Sequence, residues 1–134
     1  MSRLSDAELA NSLHLRRSAA RCVSRLQYPD ARPNFCHENA EAYARQHQGC
    51  TLVGGWLIED CSGWNYFIAH TVVQHPDRSL VDPTPLPRQY PFIPHDGSDE
   101  DFALQRHNRP RVQYPPLDVL NCLHEPPVAE PEQF

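Results

Sequence analysis

Three residues of this sequence combine the types and the order that nucleophilic thiol chemistry requires. His70 follows Cys36 after 34 residues, and Asp82 follows His70 after another 12. A thiolate is the reactive form of cysteine, a nearby imidazole stabilises it and moves protons, and a third group fixes the tautomer of that imidazole. Cys36, His70 and Asp82 are therefore the candidate nucleophile, base and orienting acid.

Cys36 is expected at the start of a helix. Asn34 is a good N-cap and Gly49 a good stop, which together predict a helix over about 34–48. Cys36 then falls in the first turn, where the positive end of the helix dipole lowers the pKa of a thiol. This position favours a nucleophilic cysteine over an inert one.

His70 and Asp82 are expected on two strands joined by a tight turn. The apolar stretch 64–74 predicts a long central strand, and 79–82 predicts a short returning strand. A three-residue turn places Asp82 directly opposite His70, and a five-residue turn places it diagonally on the same face, still within side-chain reach. A four-residue turn would put the two side chains on opposite faces.

A helix is expected near the start of the chain. Ser5 with Glu8 forms a capping box, and Leu4 with Leu9 forms a hydrophobic staple. The apolar spacing that follows predicts that this helix runs over about 5–26.

A further strand is predicted over 51–59, interrupted by Gly54 and Gly55. Paired glycines inside a strand indicate either a bulge or a close approach of other groups to the backbone. The residues DCSG at 60–63 predict a hairpin between this strand and the one that carries His70.

Prolines dominate the chain after Asp82, and the whole sequence has 14 of them. Because proline does not fit inside central strands or helices, we expect 86–134 to wrap around a core of about 5–85 as extended chain. A short helix is predicted over about 101–107, and the last ten residues are expected to fray. The whole sequence, 1–134, is expected to form one domain, with the proline-rich part as a groove wall or a docking surface for a protein partner.

Composition argues against several classes of protein. The net charge of -5 gives no basic surface for nucleic acid or an anionic membrane. No apolar stretch approaches the roughly 20 residues of a membrane span, and the N-terminus lacks the apolar core of a secretory signal. A cytoplasmic location is expected, with export by a route without a cleaved signal left open.

Four of the five cysteines are interpreted as structural: Cys22, Cys50, Cys61 and Cys122.

Cys36 in CHENA, His70 in HTVV and Asp82 in LVDPTP resemble the Cys, His, Asp order of the papain-like and transglutaminase-like superfamily. The resemblance covers about 34–85 and implies an α+β fold with N-terminal helices packed on a small antiparallel sheet. It also implies an acyl-enzyme on Cys36, formed from a peptide or protein amide without a cofactor, that leads to hydrolysis, deamidation or transamidation. One departure is that His37 replaces the usual aromatic residue after the cysteine.

Three further residues are candidates for the surroundings of the thiol. The backbone N–H of Cys36 is one donor to an oxyanion, and Gln27 is a candidate for the second donor. Asn39 lies one turn beyond Cys36 and either lines the pocket or hydrogen-bonds a loop. Trp56 either walls the cleft or packs in the core.

Two other functions stay open on sequence grounds. One is a catalytically inactive binding module or accessory protein with the same fold. The other is a metal site drawn from Cys36, His37, His70 and His75, although the sequence lacks the paired ligand spacings, such as CxxC, that structural zinc sites use. The favoured interpretation therefore needs no metal, and metal binding stays the weaker alternative.

Overall fold

The helices and strands have the following bounds in the computed structural model, which describes residues 5–116. The elements are α1 Asp6–Leu15, a 3₁₀ turn Arg17–Ala19, β1 Ser24–Arg25, α2 Cys36–Gln46, β2 Thr51–Cys61, β3 Trp64–Gln74, β4 Leu80–Asp82, β5 Phe92–Pro94, α3 Asp99–Asn108 and β6 Arg111–Tyr114. The prediction of a mixed α+β fold is confirmed.

β3 is the centre of the sheet because strands pair along both of its edges. The order is β1-β4-β3-β2-β5, and β6 pairs with β3 on the edge that β4 also uses. The pairings are antiparallel except that of β1 with β4, which is parallel, so the prediction of an antiparallel sheet is wrong at this edge. β2 and β3 are antiparallel over their full length and are joined by a two-residue turn, where Gly63 has a φ of 89°. The predicted strands over 51–59 and 64–74 and the hairpin between them are confirmed.

Gly54 and Gly55 allow other groups to approach the backbone of β2 closely. The register of β2 on β3 continues through both glycines, so the strand has no bulge there. The ring of Phe102 lies against Gly54, and the ring of Phe92 and the carbonyl of Ile93 lie against Gly55, where a Cβ would clash. The second of the two predicted alternatives, a close approach, is the one observed.

Apolar side chains cover both faces of the sheet. Phe67 and Ile68, neighbours on β3, belong to different clusters, as the two-residue period of a strand requires. One cluster joins α1 and α3 to the sheet and contains Leu9, Leu13, Trp56, Ile58, Phe67, Ala69, Ile93, Phe102 and Val112. The other contains Val23, Leu57, Ile68, Val72, Leu80, Tyr90 and Phe92. α2 packs on the sheet through Ala40 and Tyr43, which contact Val73.

The first helix is shorter than predicted, although its capping box is present. α1 ends at Leu15 instead of near residue 26. From Arg21 the chain is extended, since the backbone of Arg21 exchanges two hydrogen bonds with Phe92, and Val23 enters the core. The pairing of Arg21 with Phe92 and the burial of Val23 stabilise the extended chain more than helix propensity stabilises a longer α1. Leu4, one half of the predicted staple, lies outside the described residues.

The proline-rich half contains more regular structure than predicted. It supplies β5 and β6, and α3 extends beyond the predicted 101–107 at both ends. The prolines lie where their missing N–H is harmless, with Pro94 at the end of β5 and Pro110 just before β6. The predicted frayed end falls outside the described residues.

Candidate functional site

Cys36 is the first residue of α2. The predicted N-cap at Asn34 is wrong by one residue, because Asn34 adopts a left-handed φ of 69° and Phe35 is the N-cap. Phe35 has no side-chain acceptor, so the first-turn N–H groups of α2 receive no side-chain cap. These donors and the positive end of the helix dipole lie at the thiol, where they stabilise negative charge.

His70 and Asp82 form a buried pair on neighbouring strands. Nε2 of His70 donates to Oδ2 of Asp82 at 2.7 Å, and the two residues are 1% and 2% exposed. Gln74 pairs with Leu80, which leaves a five-residue turn between β3 and β4. Asp82 is therefore diagonal to His70 on the same face of the sheet, the second of the geometries expected to bring them into contact.

The hydrogen bond to Asp82 also determines which nitrogen of His70 serves the thiol. With Nε2 occupied by the carboxylate, Nδ1 is the ring nitrogen left to face Cys36. A carboxylate that fixes the tautomer of an imidazole in this way is the third member of a thiol–imidazole–carboxylate chain.

The thiol and the imidazole shift each other's pKa toward an ion pair. Burial alone would lower the pKa of His70, but the hydrogen bonds to Asp82 and Cys36, and the negative charges of both groups, raise it to about 10. Burial alone would raise the pKa of Cys36, but the hydrogen bond and charge of His70 and a hydrogen bond from the Thr71 backbone lower it below its ordinary value. Both shifts favour the charged forms of the two groups, a thiolate beside an imidazolium.

Cys36 contacts β3 at a gap in its strand pairing. On one edge of β3, β6 pairs with residues 65–68 and β4 with residues 73–74. Within the described part of the chain, no strand covers the stretch between them on that edge. The backbone of Thr71 lies in this stretch and lowers the pKa of the Cys36 thiol, so the start of α2 lies against the unpaired edge of β3.

His37, next to the thiol, is held on the same part of β3. Its Nδ1 lies 3.4 Å from Oγ1 of Thr71, and its Nε2 lies 3.5 Å from Oε1 of Glu41, one turn along α2. Thr71 therefore contacts two successive residues of α2, the first through its backbone and the second through its side chain. These contacts fix the start of the helix on the sheet.

The other predicted site residues lie in three different places. Gln27 is exposed and follows Leu26, whose N–H donates to the carbonyl of Asp82, so it lies beside the β4 end of the site. Asn39 is buried and hydrogen-bonds the backbone of Arg32, as the loop interpretation expected. Trp56 is fully buried and belongs to the cluster with α1 and α3. The structure does not bring it to the thiol.

The residues considered as metal ligands are divided between two places. His75 contacts Cys50 and Tyr43, while Cys36 and His70 contact each other. In residues 5–116, no group of three or more His, Cys, Asp or Glu side chains is arranged to hold a metal ion.

Two threonines that the sequence did not predict also contribute to the site. The backbone of Thr71 contacts the sulfur, and the backbone N–H of Thr84 donates to Oδ1 of Asp82 at 3.0 Å. An Asp followed two residues later by an N–H donor is a common turn, so Asp82–Pro83–Thr84 carried a usable pattern. The contact of Thr71 has no local pattern, since it joins residues distant in the sequence.

No protein-family model, no curated protein and no solved structure matches the chain. None of the helices among the described residues has both the length and the apolar character needed to cross a bilayer.

Proposed function

We propose that this protein is a thiol-dependent hydrolase or acyltransferase that acts on an amide bond through an acyl-enzyme on Cys36. The observation that carries the proposal is the buried chain from Asp82 through His70 to a thiol at an uncapped helix start. A buried imidazole with a pKa near 10, paired with both a carboxylate and a thiol, is an arrangement found at functional sites.

The reaction follows from these positions. The Cys36 thiolate attacks the amide carbon, the C–S bond forms, and the carbonyl oxygen becomes an oxyanion near the Cys36 N–H. Nδ1 of the His70 imidazolium then gives its proton to the leaving nitrogen as the C–N bond breaks, and a thioester remains.

The second half of the reaction reverses these roles. Neutral His70 takes a proton from water or from an acceptor amine, which attacks the thioester carbon as the C–S bond breaks. The products are an acid or a new amide, and the thiolate–imidazolium pair is restored. Asp82 keeps the ring oriented in both halves. Peptidase, amidase, glutamine deamidase and transamidase activities all use these same steps.

The arrangement of elements supports a papain-like or transglutaminase-like core as the frame of this chemistry. A helix that begins at Cys36 packs on a mostly antiparallel sheet, in which the neighbouring antiparallel strands β3 and β4 carry His70 and Asp82. This is the order of elements that the sequence resemblance implies. Gln27, beside the β4 end of the site, remains the candidate for the second oxyanion donor.

Selective alkylation tests the proposal. At pH 6 we expect iodoacetamide to label Cys36 first, at least about tenfold faster than Cys50, because a lowered pKa increases the thiolate fraction. Peptide mass spectrometry measures both rates in one sample. Cys36→Ala should abolish labelling at this position and acyl transfer from glutamine-containing peptides, measured as ammonia or thioester formation, while Cys50→Ala should retain both. A Cys36 that reacts no faster than Cys50 would favour a non-catalytic binding module instead.

A further inference from the structure

The side chain of Asn39 is buried, and both its amide oxygen and its amide nitrogen form hydrogen bonds. Asn39 is 5% exposed. Its Oδ1 accepts from the Arg32 N–H at 3.1 Å, and its Nδ2 donates to the Arg32 carbonyl at 2.8 Å. One amide therefore holds both backbone groups of a residue in the loop that leads into α2.

The same amide also reaches the turn that follows β4. Nδ2 of Asn39 donates to Oγ1 of Thr84 at 3.0 Å, a contact between residues 45 apart in the sequence. Thr84 is 2% exposed, and its backbone N–H holds Oδ1 of Asp82. The other oxygen of Asp82 is the one that accepts from His70. A continuous chain of hydrogen bonds thus runs from the loop before α2 to the imidazole.

Asn39 is also rigidly connected to the thiol. It lies three residues after Cys36 on α2, and residues at this spacing share one face of a helix. Asn39 consequently joins three segments that are separate in the sequence: the loop at Arg32, the helix that carries Cys36 and the turn that holds Asp82. In low-dielectric surroundings, a buried hydrogen-bond network of this kind favours one geometry.

We propose that Asn39 and Thr84 are positioning residues, which set the placement of the thiol relative to the His70–Asp82 pair. The inference rests on the proposed function and adds to it the parts that hold its geometry. Thr84 acts on the carboxylate in two ways, through its own N–H and through its hydroxyl, which fixes the turn to Asn39. The hydrogen bonds of the two residues are to Arg32, to each other and to Asp82, so both act on the thiol and the imidazole through other groups.

Thr84→Val is the sharpest variant because it keeps the shape of the side chain and the backbone N–H but removes the acceptor of Asn39. Thr84→Ser keeps the acceptor and is the matched control. We expect Thr84→Val to slow the alkylation of Cys36 at pH 6 by about threefold to tenfold. This factor corresponds to the net free energy of one hydrogen bond. The pH midpoint of the reaction should move upward. Thr84→Ser should stay within about twofold of the wild type.

Cys50 is the internal reference, since its alkylation rate should not change in either variant. A Thr84→Val protein that is less stable to urea but has the wild-type pH profile at Cys36 would overturn the inference, because a purely structural role predicts that result. If Thr84→Val does not fold, Thr84→Ala, which needs less space, is measured in the same way. A wild-type Cys36 without preferential reactivity would contradict the proposed function, whereas a reactive wild type with an unchanged variant contradicts only the positioning role.

Discussion

Helix α2 has a cysteine at each end, and each thiol lies beside an imidazole. Cys36 begins the helix and contacts His70, whose second nitrogen donates to the carboxylate of Asp82. Cys50 follows the other end, with its sulfur 3.6 Å from Nδ1 of His75. The second nitrogen of His75 lies 3.1 Å from the hydroxyl of Tyr43.

The two pairs differ in the charges around them. At the N-terminus of α2 the helix dipole stabilises a thiolate, whereas at the C-terminus it opposes one. Cys50 is close to that end, since its N–H donates to the carbonyl of His47, the C-cap of α2. A carboxylate beside His70 also stabilises an imidazolium more strongly than a neutral phenol does. We therefore expect the helix end and the third group, in addition to the imidazole, to decide which of the two thiols is reactive.

Replacing each histidine should give the largest difference between the pairs. His70→Gln leaves Asp82 buried without its charged partner, and we expect a loss of about 3 kcal/mol or more of unfolding free energy at pH 6. His75→Gln removes contacts of a half-buried ring and should cost about 1 kcal/mol. Urea unfolding of both variants and the wild type measures these losses. Equal losses would show that the carboxylate does not distinguish the pairs.

The same comparison has a definite pH dependence. Folding raises the pKa of His70 from 6.5 to about 10, so its charge adds stability that is fully present below pH 6.5. That stability is lost as the pH rises through about 10. The difference in unfolding free energy between the wild type and His70→Gln should therefore become smaller as the pH rises from 6.5 to about 10. A difference in unfolding free energy that grows with pH would contradict a charged His70 ring.

Asp82→Asn should change the reactivity of one thiol and not of the other. Without the carboxylate the pKa of His70 falls, so less imidazolium faces Cys36. We expect the pH midpoint of Cys36 alkylation to rise by about one unit or more, with the profile of Cys50 unchanged as the control. Rates measured by peptide mass spectrometry across the pH range test this. If the pH midpoint of Cys36 alkylation is the same in Asp82→Asn and the wild type, Asp82 does not influence the reactivity of this thiol.

Tyr43→Phe should have the smallest effect. It removes one hydrogen bond to His75 from a phenol that is 6% exposed, and we expect a loss of about 1 kcal/mol in urea unfolding. The alkylation rate of Cys36 should stay at the wild-type value. A change at Cys36 would mean that the two ends of α2 are coupled, which would weaken the comparison between the two pairs.

Local patterns were enough to predict several elements of the fold, including the strand that carries His70. The apolar runs of β2 and β3, the turn at Ser62 and Gly63, and the capping box of α1 are all properties of neighbouring residues. The order of Cys36, His70 and Asp82 likewise pointed to three side chains that the structure brings together. Their chemical role is the part that the proposed experiments test.

Contacts between distant segments decided the rest. The end of α1 at Leu15 depends on the pairing of Arg21 with Phe92, which no window of neighbouring residues contains. β5 and β6 form because β2 and β3 offer them edges, and their prolines lie at positions that need no N–H. Local propensity therefore predicted extended coil where pairing produced strands.

The placement of Asp82 illustrates both contributions. The sequence by itself determined that a strand would return toward His70 and that only certain turn lengths would bring the two side chains together. The tertiary structure decided on five residues, because the register of β4 on β3 pairs Gln74 with Leu80. It also placed Thr71 and Asn39 against their distant partners. Spacing along a chain defines which residues are able to meet, but only the packing of separate segments defines the distances at which they do.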